Sequence, residues 1–554
     1  MIYPAFQKSK ITEWTDCLFS DVVVSGYENE FAASEISFKK NELCKVNKLY
    51  IDITKENTRR TEYIEEANRI TDEKFIINSE KSSDGLHLKL TVSGKKSLFR
   101  AACRIRQMLD EKNFFIGEVE DYPLFAKRGY IEGFYGKPWD FETRISNLDL
   151  LSFYGMNTHY YAPKDDPYHR DKWDELYPEK ELKQLSELAE ICKEKFVDFH
   201  YCIAPGLSMK YSSDADFEKL CCKVEQLYNI GIRNFGLLLD DIPENLWFDE
   251  DKAAFDGEAV NAHIALINKF NLFLTNLNEN CSLTVCPLQY HGRGDEYFIS
   301  KLGRGIPSKV SLFWTGKNIC SQELTVREAV VFENATNHKP LYWDNFPVND
   351  AEMQNEMHIG YLNGREKDLY RYSEGIISNV MEYGMSSRIP LLTVCAYLWN
   401  PIEYSGYESW QKACEIVLKD KKELLMPLLD NLLFSCLKVE NSPMMNSVLN
   451  EAQQMFFAGD ISGAYSVIQT YIEKLKKCVE FTESVDTPEV SELLPWAEKQ
   501  KIALDLLESA TETIVNNSDE NKQKTREILK KYLAHPKTLC DFSLQSFAER
   551  TLTI

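Results

Sequence analysis

The sequence predicts an α/β protein built on a (β/α)8 TIM barrel, with a small α/β domain before the barrel and a helical domain after it. Three observations carry this. Between Arg128 and about Trp399, eight short apolar runs recur: RGYIEGFYG, GMNTHYYAP, DFHYCIAP, NFGLLLDD, SLTVCPLQY, KVSLFWTG, KPLYWDNF and GIISNVM. Most are separated by stretches of helical period, such as FETRISNLDLLSFY, EKELKQLSELAEICKEK, DADFEKLCCKVEQLYNIG and AVNAHIALINKFNLFLTNL. Finally, the polar residues of each run gather at its C-terminal end, where a barrel of parallel strands assembles its active site.

The elements follow in order. Residues 1–125 mix strand-like DVVVSGY, KLYIDIT and HLKLTVSG with the helical SLFRAACRIRQMLDE, as expected of a small α/β domain. Residues 126–402 hold the eight strand–helix units, close to the roughly 250 residues typical of such a barrel. A doubly wound open sheet is the competing fold, but it usually has fewer strands and a glycine fingerprint after the first; EGFYGKPW has two glycines without GxGxxG. Residues 403–554 are charged and helical in period, as in SWQKACEIVLKDKKELLMPLLDNLLF and GAYSVIQTYIEKLKKCVEFTESV, and predict a helical bundle.

At 554 residues the chain exceeds what one core supports, and its net charge of -22 with no basic stripe excludes general nucleic-acid binding. Fifteen scattered cysteines without a CxxC read as reduced thiols. The start MIYPAFQKSKITEW lacks the pattern of a signal peptide, and no run approaches a membrane span, so a cytoplasmic protein is expected. Nothing in the sequence chooses between a monomer and a homodimer.

The strand ends bring carboxylates, a lysine, amides and aromatics to one rim: Glu132, Gly133 and Tyr135; Tyr161 and Lys164; Asp240 and Asp241; Gln289 and Tyr290; Trp314; Trp343, Asp344 and Asn345; Asn379. Such a set suits a carbohydrate, whose C–H faces pack on aromatic rings while amides and charges bind its hydroxyls. Each residue also has a plainer reading. Asp240 and Asp241 suit helix caps or a salt-bridged loop, Lys164 a loop ion pair with Asp165 and Asp166, Trp314 and Trp343 core packing. Asn345, Asp350 and Asn379 suit turns, Glu132 an ion pair within the barrel, His169 and His291 loop hydrogen bonds. What favours the site is that polar residues fall at strand ends again and again.

An apolar run ending in two aspartates also resembles a Walker B segment. That reading requires GxxxxGK[ST], yet the glycine–lysine pairs at 94, 136 and 316 are followed by Lys96, Pro138 and Asn318. There is no HExxH and only nine scattered histidines, so neither a metal nor another cofactor is expected. The remaining rival is a non-catalytic sugar-binding barrel, which has no use for two adjacent carboxylates.

RGYIEGFYGKPW, NTHYYAPKDDPYHR, IAPGLS, LLLDDIPEN, CPLQYHG, LFWTG, YWDNFPVND and IISNVME, in that order, resemble family 84 of the glycoside hydrolases, the O-GlcNAcases and related bacterial β-N-acetylglucosaminidases. The resemblance covers the barrel from about Lys127 to Trp399. It departs at Gln289, where many members have glutamate, and GYIEGF differs slightly from the commoner VIEGF. GLHLKLTVSGKKSLFRAACRIRQML is similar, more faintly, to the domain that precedes the barrel in bacterial members.

The resemblance implies a retaining β-N-acetylglucosaminidase acting on a GlcNAc-containing glycoside or glycopeptide by substrate-assisted catalysis through an oxazoline, without cofactor, nucleic acid or membrane. It assigns Asp240 to orient and polarise the 2-acetamido group and Asp241 to act as general acid and then base. It gives Gly133, through its backbone, Lys164 and Asp350 to the sugar hydroxyls. Tyr290, Asn345 and Asn379 would position the acetamido group and the reacting centre, with Trp343 walling the acetamide pocket.

Overall fold

The computed structural model describes residues 2–36, 47–56 and 72–553. Its first layer is a six-stranded mixed sheet of β1 (Lys8–Asp16), β2 (Asp21–Gly26), β3 (Lys48–Lys55), β4 (Phe75–Lys81), β5 (Gly85–Val92) and β6 (Asn113–Asp121), in the order β1-β6-β4-β5-β3-β2. Strands β2, β3 and β5 run parallel, and β1, β6 and β4 pair antiparallel. β3 and β5 alternate buried and open side chains, and Leu49, Ile51, Ile53, Leu86, Leu88 and Leu90 pack under the helix Lys95–Glu111.

The eight apolar runs form eight parallel strands closed into a barrel. They are β7 (Lys127–Ile131), β8 (Thr158–Tyr161), β9 (Asp198–Ile203), β10 (Asn234–Leu238), β11 (Ser282–Cys286), β12 (Ser311–Trp314), β13 (Pro340–Asp344) and β14 (Gly375–Asn379), with β14 pairing back onto β7. Because helices cover the outside, both faces of each strand are buried, which is why the runs are mainly apolar and do not alternate with polar residues. Ile131, Tyr160, Cys202, Leu238, Cys286, Phe313, Leu341 and Ile377 fill the barrel, while neighbours such as Tyr130, Leu237, Trp314, Tyr342 and Ile376 pack outward against the helices. Among the described residues, no helix is long and apolar enough to cross a membrane.

The C-terminal residues form helices from Gly406–Leu418 to Asp541–Thr551, of which Ile461–Ser484 and Pro488–Val515 are the longest. They share a core with the last barrel helix, Arg388–Trp399, through Ile389, Leu392 and Ala396. Trp410 donates its indole N–H to the Ile359 carbonyl at 2.9 Å, and the Glu492 carboxylate accepts from the backbone N–H groups of Met385 and Ser386 at 3.0 and 2.6 Å.

The N-terminal sheet docks on the barrel through buried charge. Glu73, just before β4, accepts from Arg100 Nε at 2.8 Å and from Arg128 Nη2 at 2.7 and 2.9 Å, all three side chains being buried. Arg128 belongs to the first barrel strand and Arg100 to the helix of the sheet domain, and Arg100 also donates to the Ser152 and Met156 carbonyls at 2.6 and 3.1 Å. Burial opposes the charge on Glu73, but Arg128 and Arg100 outweigh it and hold the carboxyl far below its usual range. Neutralising it strands two buried guanidiniums, so Glu73→Gln should destabilise the full chain by about 3–5 kcal/mol in chemical denaturation. A depressed carboxyl contributes its stability above the ordinary value of 4.5 and loses it as the pH falls toward the folded value. As the pH falls below 4.5 the gap between wild type and variant should therefore narrow.

Candidate active site

Side-chain alternation assigns the residues at the C-terminal mouth of the barrel. Ile131, Leu238, Leu341 and Ile377 point inward, and so, two positions further on, do Gly133, Asp240, Trp343 and Asn379; Tyr160 is followed at the same parity by Ala162 and Lys164, and Trp343 by Asn345. Tyr290 and Asp350 arrive from loops after β11 and β13. These residues line one cavity of about 270 Å³, with Asp241, Tyr135, Cys286 and Thr315 among the others on its wall. All nine residues that the sequence singles out as catalytic or sugar-binding therefore face the same space.

Asp241 is the exception to the alternation. Leu239 packs outward and still donates its N–H to the Cys286 carbonyl at 2.9 Å, Asp240 turns inward, and Asp241 would then face out. It instead adopts the left-handed region at φ 51°, which brings two successive carboxylates onto one cavity. Tyr135 Oη donates to Asp241 Oδ2 at 2.8 Å and Tyr290 Oη to Oδ1 at 3.2 Å. Arg170 donates to Tyr135 Oη at 3.0 Å and to the Asp241 carbonyl at 3.3 Å, fixing both ends of the arrangement.

The two aspartates have unlike surroundings. Asp240 is 9 % exposed, and its Oδ2 accepts from Lys164 Nζ at 3.1 Å. Its Oδ1 is buried and, among the described residues, receives no N–H or O–H donor, with only the weak Cys286 thiol beside it. Asp241 is exposed to the cavity mouth. Burial opposes the charge on Lys164, but Asp240, Tyr135 and Asp241 together raise its pKa and keep it a cation. Burial and then the Asp241 charge push the Tyr290 phenol up, so it remains a donor at neutral pH.

Opposite the carboxylates runs a relay of amides. Gly133 N–H donates to Asn379 Oδ1 at 3.1 Å, Asn379 Nδ2 donates to Asn345 Oδ1 at 3.0 Å, and Trp343 Nε1 donates to the same oxygen at 3.0 Å. Asn345 Nδ2 in turn donates to the Ile319 carbonyl at 2.8 Å. Each amide nitrogen thus keeps one hydrogen for a ligand. Asp350 Oδ2 accepts from the Tyr135 N–H at 2.8 Å; burial raises its pKa against the pull of that N–H and of Lys164.

Several sequence expectations change here. The N–H of Gly133 is taken by Asn379, which leaves the carbonyl as its backbone group for a ligand. Trp314 packs outward on Phe332, with ring centroids 4.9 Å apart, and Phe313 takes the inward place against Trp343. Lys164 pairs with Asp240 rather than with its neighbours Asp165 and Asp166; Asp166 instead accepts from Tyr161 and Tyr177 hydroxyls at 2.9 and 2.6 Å. Two expectations hold unchanged: Glu132 forms a buried ion pair, with Arg144 at 2.9 Å, and His169 makes a hydrogen bond, donating Nδ1–H to the Cys202 carbonyl at 2.7 Å. Gln289 accepts from the Ile299 N–H at 3.3 Å, away from the cavity. Tyr135 was visible at a strand end without a role, and Arg170 carried no signal.

The family model of the beta-N-acetylglucosaminidases matches residues 128–430. The chain belongs to this family. That span contains all of the barrel strands but Lys127 at the start of β7, and every residue of the cavity wall. Protein O-GlcNAcase of Rattus norvegicus is 31% identical over 257 residues, 45% of this chain and 27% of that protein, and the Mus musculus protein matches equally. The matched part of the chain thus spans about a quarter of the length of these curated relatives. Among solved structures, a mutant O-GlcNAc hydrolase of Thermobaculum terrenum is 28% identical with a TM-score of 0.73, covering 77% of this chain and 95% of the other. CpGH84B, 24% identical with a TM-score of 0.82 and 100% coverage of both chains, shares the fold from end to end.

Gly133 owes its identity to close approach. A Cβ there would lie 2.5 Å from Trp343 Cζ2 and 3.1 Å from Asn379 Oδ1, so Gly133→Ala must displace the indole or the amide relay. Overpacking of this kind costs about 1–3 kcal/mol, which urea denaturation followed by tryptophan fluorescence should detect.

Proposed function

We propose that the chain is a retaining β-N-acetylglucosaminidase of the O-GlcNAcase type, removing terminal β-linked GlcNAc by substrate-assisted catalysis. The observation that carries the reading is the pair of adjacent carboxylates facing one cavity from unlike surroundings. The names of the relatives, Protein O-GlcNAcase and O-GlcNAc hydrolase, agree with it. A barrel that only bound the sugar would gain nothing from Asp241's left-handed backbone.

In the proposed reaction the acetamido oxygen attacks the anomeric carbon while the bond to the aglycone breaks, giving an oxazoline. Asp240, charge-matched by Lys164 and with Oδ1 open, accepts the acetamido N–H and stabilises the positive charge that grows on the amide. Asp241 gives its proton to the departing oxygen, then takes one from the water that opens the oxazoline, which restores both carboxyl groups. Trp343, Asn345, Asn379 and Tyr290 shape the acetamide pocket, while Lys164, Asp350 and the Gly133 carbonyl hold hydroxyls. The cysteines of the described residues are all free, as in a reducing compartment, which supports a cytoplasmic site of action.

The two aspartates separate by leaving group. Asp241→Asn should nearly abolish cleavage of a serine glycoside yet spare the first step with dinitrophenyl β-GlcNAc, whose aglycone leaves without a proton. Asp240→Asn should slow both substrates by a similar factor. The same leaving-group dependence in both variants, or the reverse assignment, would sink the reading. Because the acetamido group supplies the nucleophile, aryl β-glucoside should react at least about 100-fold more slowly than aryl β-GlcNAc. Equal rates would leave no place for the neighbouring group.

A further inference from the structure

The cavity has a second chemistry on its wall. Cys320 lines it beside Ile319, and Cys436 reaches the same place from the loop that follows the helix Lys422–Asp430. The two thiols, one from a barrel loop and one from the C-terminal region, are neighbours that perturb each other's ionisation. Asn345 holds both. Its carbonyl accepts from Cys436 Sγ at 3.6 Å, and its Nδ2 donates to the Ile319 carbonyl at 2.8 Å, one residue before Cys320. On the other side, the buried Arg365, paired with Asp344 at 2.9 Å, donates to the carbonyls of Ser321 and Gln322 at 3.2 and 3.0 Å. The segment carrying Cys320 is therefore clamped at both ends, which keeps its sulfur beside Cys436.

The two thiols are also chemically unlike. The neighbouring Cys436 lowers the pKa of Cys320, and Cys320 together with burial raises that of Cys436. Cys320 is partly exposed on the cavity wall, open to a small oxidant. Cys286, in the same cavity, is a contrast: burial and then the nearby Asp240 push its thiol well up. A lowered, accessible thiol next to a second one is the arrangement of a redox sensor with its resolving partner.

We propose that Cys320 and Cys436 form a peroxide-sensitive dithiol whose disulfide disturbs Asn345 and thereby lowers turnover in the adjoining cavity. The Cys320 thiolate attacks hydrogen peroxide: a sulfur–oxygen bond forms, the oxygen–oxygen bond breaks, and hydroxide leaves to be protonated. Cys436 then attacks the sulfenic sulfur, forming the disulfide and expelling the oxygen as water. Overall, two thiols and one peroxide give one disulfide and two waters. The bond removes the Cys436 donor from the Asn345 carbonyl and pulls on the loop that holds Asn345 Nδ2. Asn345 Oδ1 anchors both Trp343 and Asn379, so the strain reaches the acetamide pocket directly. The effect on turnover rests on the hydrolase reading, whereas the bond itself does not.

The test treats the reduced full chain with a few equivalents of hydrogen peroxide and reads two signals. Non-reducing peptide mass spectrometry should show a Cys320–Cys436 cross-link that dithiothreitol removes. Hydrolysis of aryl β-GlcNAc should fall by about tenfold on oxidation and return on reduction. In Cys436→Ala, oxidation should stop at oxygen adducts on Cys320, and the dithiothreitol-reversible part of the loss should disappear. Free thiols at both positions after peroxide, or an oxygen-adducted Cys320 without a cross-link in the wild-type chain, overturns the proposal. So does a cross-linked enzyme with undiminished turnover. A chain inactive on every glycoside even when reduced would count against the hydrolase reading instead, while the mass readout would still decide the bond.

Discussion

A β-strand turns only every second side chain to one face, yet the cavity takes two successive carboxylates from the segment just after β10. The left-handed turn at Asp241 resolves that conflict. A non-glycine residue there costs roughly 1–2 kcal/mol, so something must hold it. Hydroxyls from Tyr135 and Tyr290 hold the carboxylate, and Arg170 holds the carbonyl behind it. The obligation spreads from there. Tyr135 has to be fixed, and its N–H is bound by Asp350; Asp350 begins a segment whose Asn355 carbonyl accepts from Trp496 Nε1 and the Thr538 N–H of the C-terminal helices.

The C-terminal region thereby supports the mouth of the barrel from outside. Glu492 ties down the backbone at Met385 and Ser386, in the loop after β14 that follows Asn379. Two of the loops at the rim, those after β13 and β14, are thus fastened to helices that contribute no residue of their own to the cavity wall.

The barrel was legible because each strand is buried on both faces and reads as a mainly apolar run, and its cavity was legible because carboxylates, amides and a lysine gather just past the C-terminal ends of those runs. What such a run conceals is parity: SLFW gives no sign that Phe313 points in and Trp314 out, since both are apolar and both are buried. Strands β1, β4 and β6 went unnamed; β1 is a charged edge, KSKITEWTD, with little burial to impose a pattern. Arg170 and the partnership of Cys320 with Cys436 are tertiary facts: a long side chain crossing from one loop to another, and two thiols far apart in the chain, leave no local trace.

Trp399 closes the last barrel helix, yet its indole is counted with the core of the N-terminal sheet. Its Nε1 donates to Asp121 at the end of β6, and Arg104 of the sheet domain and Arg128 of the barrel lie over its ring, 4.8 and 5.6 Å from the centroid. Gly155 gives way beneath it, since a Cβ there would stand 2.5 Å from the indole. The seam between the first two regions is thus written into both, one ring completing the neighbour's interior. These regions are not interchangeable modules: a lineage that shed the sheet, or a fusion that borrowed the barrel alone, would carry away an exposed indole and a severed ion cluster and would have to invent a new floor before it could stand.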